Sequence, residues 1–141
     1  MTTDFIASLT RPELHRIVAH WMGAEPWREG YCVIWPDYGR WENVGPVLDR
    51  LTSSEFAFVV GTSEGDDRTI IDRVLHETVR RAVQEMPEGV EMYHKQGGRW
   101  SWGRPGLSGA WFDSEKQARL AAWRDWLDGE MAMGVVGVCH G

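Results

Sequence analysis

A glycine-containing turn between two β-prone segments limits the possible folds more than any other feature of this sequence. Residues 90–95 and 99–103 are separated by Gln96-Gly97-Gly98, a spacing that predicts a β-hairpin. A hairpin requires antiparallel pairing in at least part of the sheet. The predicted helices and strands do not alternate along the chain as βαβ units would. The sequence therefore predicts one α+β domain spanning residues 1–141, with about four helices packed on a mostly antiparallel sheet.

Cap residues and hydrophobic spacing locate the other elements. Thr10 and Glu13 form a T-x-x-E capping box, which predicts a helix over residues 11–22 that ends at Gly23. Similar reasoning predicts helices over 44–51 and 71–86 and after a cap at Asp113 or Ser114, and strands over 31–35, 55–62 and 106–112. Pro46 is expected only in the first turn of its helix.

The balance of charges argues against several classes of partner. The chain has 141 residues and a net charge of −6, so it lacks the excess of cations that non-specific nucleic-acid binding and polybasic membrane anchoring require. An acidic protein is suited to a basic protein partner. No segment has the length of a transmembrane helix, and the N-terminus lacks the pattern of a secretory signal. Cys32 and Cys139 make no disulfide framework, which favours a reducing, cytoplasmic location.

One short motif is typical of a nucleophilic serine. Gly61-Thr62-Ser63-Glu64-Gly65 matches G-x-S-x-G between a predicted strand and a predicted helix, and Asp113 and His140 follow in the order of a Ser-Asp-His triad. Three features favour an ordinary loop instead. The chain is short for an α/β-hydrolase, the helix is predicted to start only after residues 66–68, and His140 is the penultimate residue.

The histidines do not predict a metal site. His76-Glu77 begins like the zinc motif H-E-x-x-H, but Arg80 stands where the second histidine would be, so an ion pair of Glu77 with Arg80 or with Arg81 along a helix is expected. His15 and His20 are five residues apart on one helix and therefore point to different faces. Neither a metal nor a cofactor is predicted, since phosphate-binding glycine motifs are also missing from the sequence.

Acidic and aromatic residues are the predicted contacts for a partner. An acidic loop tip is expected to steer a basic surface, and exposed tryptophans are expected to anchor it. The residues concerned are Glu64, Asp66 and Asp67 in the loop and Trp41, Trp100 and Trp102, with Trp111 as a further candidate for exposure. Exposed hairpin edges also leave a homodimer open.

Several segments match the opening of a known family. A helix ending in Val18-Ala19-His20-Trp21-Met22-Gly23 is followed by Trp35-Pro36-Asp37-Tyr38 and by a short helix ending in Val47-Leu48-Asp49-Arg50-Leu51. Residues 14–51 thereby resemble the phage ABA-sandwich domain, and the alanines of the last helix resemble its closing helix. The family's Tyr-Ser-Thr-Asp turn is Tyr38-Gly39-Arg40-Trp41 here, and residues 69–86 correspond to an insertion. The resemblance implies a phage or prophage gene and a layered helix–sheet fold, and it supplies no catalytic residues.

These observations lead to one preferred function and two alternatives. The preferred function is a small non-catalytic binding protein, encoded by a phage or mobile element, that inhibits a protein partner by occlusion. An anti-defence inhibitor such as an anti-CRISPR protein, or a toxin-immunity protein, fits that description. The first alternative is a small serine hydrolase that uses Ser63, Asp113 and His140. The second is a small-ligand-binding protein whose tryptophans stack on a nucleotide.

Overall fold

The α+β class predicted from the sequence is confirmed. The computed structural model describes residues 2–51, 67–95, 97–104, 107–108 and 111–136. Within these ranges the helices are α1 (Thr2–Ala7), α2 (Arg11–Met22), α3 (Trp41–Arg50), α4 (Asp67–Ala82) and α5 (Glu115–Met133). The strands are β1 (Trp27–Glu29), β2 (Cys32–Trp35), β3 (Glu91–Lys95), β4 (Arg99–Arg104), β5 (Leu107–Ser108) and β6 (Val135–Val136). They form two three-stranded sheets, β1-β2-β6 and β3-β4-β5, where the sequence predicted one.

Helix α2 lies at the centre of the core. The predicted capping box at its start is present, and it ends at Gly23 with φ of 67°. Residues 13–19 are all buried, because the helix packs against both α4 and α5. Hydrophobic side chains from three other helices complete this core, including Val44, Val74, Val79, Trp123 and Leu127. A helix that is buried on all sides must also bury its polar residues, and α2 carries three of them.

The first sheet combines an antiparallel hairpin with one parallel strand. Strands β1 and β2 are joined by the two residues Gly30 and Tyr31, and Gly30 adopts the positive φ of 61° that such tight turns require. Strand β6, which the sequence did not predict, pairs parallel to β2. Cys32 is disulfide-bonded, which corrects the expectation that the cysteines stay unpaired.

The second sheet contains the hairpin that the sequence predicted. Strands β3 and β4 pair antiparallel across a turn in which Gly97 and Gly98 have φ of 99° and 81°. Strand β4 packs on α5 through its small residues, since Ser101 and Gly103 are buried. Trp100 therefore lies on the opposite face, where it stacks on His94 with ring centroids 4.0 Å apart.

Three expectations about local structure are corrected. Pro46 lies inside α3 rather than in its first turn, where its missing N–H leaves one carbonyl of the preceding turn without the usual partner. Helix α4 begins at Asp67, earlier than expected, and ends at Ala82, before Pro87. Helix α1 and strand β1 were not predicted at all. The predicted strand over 55–62 lies outside the described residues.

Candidate functional site

An exposed aromatic ridge follows the hairpin of the first sheet. Residues 25–31 are all exposed, and we call this segment the β1 ridge. Trp27 exposes 44% of its surface, and Tyr31, at the tip of the turn, is fully exposed. The Nε1–H of Trp27 donates to Oε1 of Glu29 at 3.2 Å, which holds the indole along the strand. The ridge thus presents two large aromatic side chains to solvent beside carboxylates.

The core holds this ridge in place. Trp27 pairs across the hairpin with Ile34, which is completely buried, so the exposed strand is attached directly to the protein interior. Strand β1 is only three residues long and lies at the edge of its sheet. Short edge strands resist open-ended strand pairing with other chains. The side chains of the ridge, rather than its backbone, are therefore its main means of contact.

The predicted partner-binding residues lie in different parts of the chain. Trp41 is the first residue of α3 and is 41% exposed, whereas Trp100 and Trp102 are half-buried in β4. Asp67 is the first residue of a helix and not part of a loop tip. Glu64 and Asp66 lie outside the described residues. The role of these residues in binding stays a prediction.

The predicted catalytic residues are described only in part. Asp113 is exposed next to Ser114, the N-cap of α5, and it lines a shallow cavity of about 390 Å³. Ser63 and His140 lie outside the described residues. Since α4 begins at Asp67, the polar stretch expected between the motif and its helix is shorter than predicted.

The predicted ion pair on α4 is confirmed. Nε and Nη2 of Arg80 donate to the two carboxylate oxygens of Glu77, at 3.2 Å and 2.5 Å. Glu77 is buried, and its ion pair with Arg80 compensates the charge of the buried carboxylate. The half-match to a zinc motif is thereby accounted for by a structural interaction.

His15 is a buried, neutral imidazole. Its Nδ1 accepts a hydrogen bond from the backbone N–H of Tyr38 at 3.2 Å and lies 3.3 Å from Oδ1 of Asp37. Burial lowers the pKa of His15, and this effect outweighs the opposing effect of Asp37. Its buried Nε2 has no hydrogen-bond partner among the described residues. The side chain of His15 thus connects α2 to the segment before α3, but burying its Nε2 without a partner among the described residues costs free energy.

Arg16 is a buried cation between two tryptophans. Its guanidinium lies 3.5 Å from the ring centroid of Trp35 and 4.7 Å from that of Trp126. Nη2 donates to Oε2 of Glu130 at 2.9 Å. Burial lowers the pKa of Arg16, while Glu130 acts in the opposite direction. Two aromatic faces and one carboxylate therefore compensate a charge that would otherwise be costly in the core.

A second cavity lies where three helices end. Its volume is about 410 Å³, and no pattern in the sequence predicts it. The C-terminal ends of α2, α3 and α4 and the following turn supply its lining, which consists of His20, Trp21, Arg50, Arg81, Ala82, Glu85 and Met86. From the sequence, Arg50 was expected near a helix end, whereas Arg81 was expected inside a helix over 71–86 that in the structure ends at Ala82. Their convergence on one cavity depends on how the helices pack.

Metal binding and membrane insertion have no support in the described ranges. Among those residues, no group of three or more histidines, cysteines and acidic residues could hold a metal ion. In the same ranges, every helix is too short or too polar to cross a membrane. Comparison with protein-family models, with curated proteins and with solved structures finds no match to this chain.

Proposed function

We propose that this chain is a non-enzymatic binding protein that inhibits a protein partner by covering part of its surface. The observation that carries the proposal is the β1 ridge, residues 25–31, which is exposed along its whole length. A chain of this size ordinarily uses its large aromatic side chains for its core, and Trp123 and Trp126 do so here. Trp27 and Tyr31 lie outside that core, and a partner that covers them would account for their exposure.

The mechanism combines two aromatic anchors with acidic steering. Tryptophan and tyrosine dominate the binding energy of many protein interfaces, because they bury a large area with few rotatable bonds. Glu25 and Glu29 place negative charge beside the anchors, and the chain as a whole carries −6. A partner with a basic surface fits both features. The predicted acidic residues Glu64, Asp66 and Asp67, and the predicted anchors Trp41, Trp100 and Trp102, belong to the same proposal.

The biological setting follows from the family resemblance. A phage or mobile-element protein of this kind would act as an anti-defence inhibitor, such as an anti-CRISPR protein, or as a toxin-immunity protein. The cytosol of the host is its proposed place of action. The disulfide of Cys32 weighs against that place, because disulfides persist mainly in oxidising compartments.

Affinity capture tests this proposal. The tagged protein is incubated with lysate of its native host, and the proteins that remain bound are identified by mass spectrometry. Binding of the captured protein to Trp27→Ala and Tyr31→Ala is then measured, and we expect affinity to fall about 30-fold or more in each. Tyr93→Ala is the matched control, because Tyr93 is an exposed aromatic residue, at 36%, that lies outside the ridge and is not among the predicted contacts.

The other outcomes of this experiment are equally informative. Equal binding by all three variants would remove the ridge from the contact. A protein that captures no partner would contradict inhibition by occlusion. A stable dimer in analytical ultracentrifugation that Trp27→Ala dissociates would mean that a second copy of the chain covers the ridge.

The alternative of a serine hydrolase retains one favourable observation. Helix α4 begins at Asp67, two residues after the G-x-S-x-G motif ends, and a nucleophilic serine turn is likewise followed by a helix. A fluorophosphonate probe decides the matter. Labelling that Ser63→Ala abolishes would establish the hydrolase, and unlabelled folded protein would leave the binding protein as the proposal.

A further inference from the structure

The cavity at the three helix ends combines apolar and cationic side chains in its lining. Its volume of about 410 Å³ falls in the range of small-molecule sites, and it has one apolar wall formed by Trp21, Ala82 and Met86. Cationic side chains also line this cavity. The lining therefore combines a surface for a flat apolar group with donors for an anion.

Within the described ranges the two arginines of the cavity have no acidic partner, which is also true of Arg28, Arg68, Arg73 and Arg99, and they differ from these four in lining one cavity together. Six arginines form ion pairs with carboxylates, namely Arg11, Arg16, Arg40, Arg80, Arg119 and Arg124. Within the described ranges, Arg50 and Arg81 form none, and Arg81 contacts only Oε1 of Gln84, at 3.5 Å. Their place in the last turns of α3 and α4 favours a positive charge, but it leaves most of their N–H donors unused.

Arg50 is also positioned by an aromatic ring. Its guanidinium lies 4.8 Å from the ring centroid of Trp21. Such a stack restricts the arginine before a ligand arrives, and the planar guanidinium can in turn stack on a further ring. A ligand that carries both an aromatic ring and an oxyanion would stack on the guanidinium and also accept hydrogen bonds from it.

His20 contributes a donor with a fixed tautomer. Its Nε2 accepts a hydrogen bond from the backbone N–H of Glu88 at 3.1 Å, and burial, together with Arg16, lowers the pKa of His20. Because Nε2 accepts this hydrogen bond, the neutral form of the ring carries its proton on Nδ1, which has no hydrogen-bond partner in the described part of the chain. Edge-on contacts with Trp123 and Trp126 hold the ring in this orientation.

We propose that this cavity binds a mononucleotide. The phosphate would lie between Arg50 and Arg81, where guanidinium groups recognise phosphate oxygens by paired hydrogen bonds. The base would extend the stack formed by Trp21 and Arg50. Glu85, the acidic residue of the lining, would accept a hydrogen bond from a ribose hydroxyl or a base amino group. This site is separate from the β1 ridge and does not depend on the function proposed for it.

Isothermal titration calorimetry tests the site with defined probes. The full chain is titrated with AMP, GMP, CMP and UMP, with the corresponding nucleosides and with inorganic phosphate. We expect saturable binding of at least one monophosphate to a single site. The corresponding nucleoside and inorganic phosphate should each bind at least about tenfold more weakly. Arg50→Gln and Arg81→Gln should each weaken the nucleotide about tenfold or more.

A charge-matched variant makes the result specific. Arg73→Gln removes one exposed positive charge from the same helix as Arg81 but outside the cavity, and we expect less than a twofold change in affinity. No saturable binding of any monophosphate would overturn the proposal. So would equal affinity for phosphate alone, which would show that no base is recognised, or wild-type affinity in Arg50→Gln and Arg81→Gln.

Discussion

The residues that depart most from simple expectation are the charged ones inside α2. Glu13, His15 and Arg16 are consecutive or nearly so, and all three are buried. Glu13 has a lowered pKa because hydrogen bonds from Arg124 and Thr10 overcome the opposing effect of burial. Glu13 and Arg16 tie α2 to α5 through Arg124 and Glu130, and His15 ties α2 to the segment before α3. Conformational specificity is a better explanation for these residues than net stabilisation.

His15 gives the fold a predictable response to acid. Because burial lowers its pKa below the ordinary value of 6.5, the unfolded chain binds a proton at mildly acidic pH that the folded chain does not bind. The free energy of unfolding should therefore be constant above about pH 7.5 and fall as the pH drops below about 6.5, by at most about 1.4 kcal/mol per pH unit for this group. Urea denaturation between about pH 7.5 and about pH 5.5 measures it.

The control for this prediction is His15→Gln. Glutamine can still accept the hydrogen bond from the N–H of Tyr38, but it does not titrate. We expect the variant to lose part of the pH dependence and to keep the part due to His20, whose pKa is lowered in the same direction. The slope decides the outcome whatever the absolute stability of the variant. A slope equal to that of the wild type would contradict the role given to His15.

At the level of elements, strand β2 connects several parts of the molecule. It pairs with β1 on one side and β6 on the other, it contributes the buried Ile34, and Trp35 covers Arg16. Its first residue, Cys32, is disulfide-bonded. The position of the β1 ridge therefore depends on a strand that a covalent bond holds in place.

Loss of this bond should destabilise the protein. We expect Cys32→Ser to lower the free energy of unfolding by about 2–4 kcal/mol, since the disulfide restricts the unfolded chain. Thermal or urea denaturation measures the loss. A reducing agent should lower the stability of the wild type by a similar amount and leave Cys32→Ser unchanged. Equal stability of the oxidised and reduced wild type would show that the bond does not support the fold.

Local sequence signals located most of the elements that were predicted correctly. Thr10 with Glu13, Ser114 and the pair Gly97-Gly98 fix helix starts and a turn by chemistry that involves only neighbouring residues. Strands β1 and β6 were missed because they contain three and two residues, too few for a hydrophobic pattern. Pro46 was misplaced because packing of α3 against α4 outweighs the local cost of proline in a helix.

At the level of the whole molecule, the candidate sites were much harder to predict than the fold. The sequence pointed to Trp41, Trp100 and Trp102, yet the most exposed aromatic segment contains Trp27 and Tyr31. The exposure of a side chain depends on tertiary packing. In β4, for example, the small residues face α5, where a tryptophan would be expected to pack. The cavity combines residues separated by up to 66 positions, from His20 to Met86, and such convergence leaves no local pattern.

The charge of the whole molecule leads to a prediction about binding kinetics. With a net charge of −6, the chain should attract a basic partner before any contact forms, and Asp66 and Asp67 are the residues expected to contribute most. Reversing both to lysine should slow association with a captured partner several-fold at an ionic strength of about 10 mM, and much less at about 150 mM, because salt screens the attraction. Dissociation should change little, since steering acts before docking.

Stopped-flow mixing or surface plasmon resonance at the two salt concentrations measures these rates. The matched control reverses Asp49 and Asp125, two exposed aspartates on α3 and α5, and so changes the net charge by the same amount. If the control slows association as much as the reversal of Asp66 and Asp67, the attraction comes from net charge alone. An unchanged rate in the Asp66 and Asp67 variant would remove this segment from the contact. A selective effect would place the start of α4 beside the partner and would join the predicted acidic residues to the β1 ridge in one encounter surface.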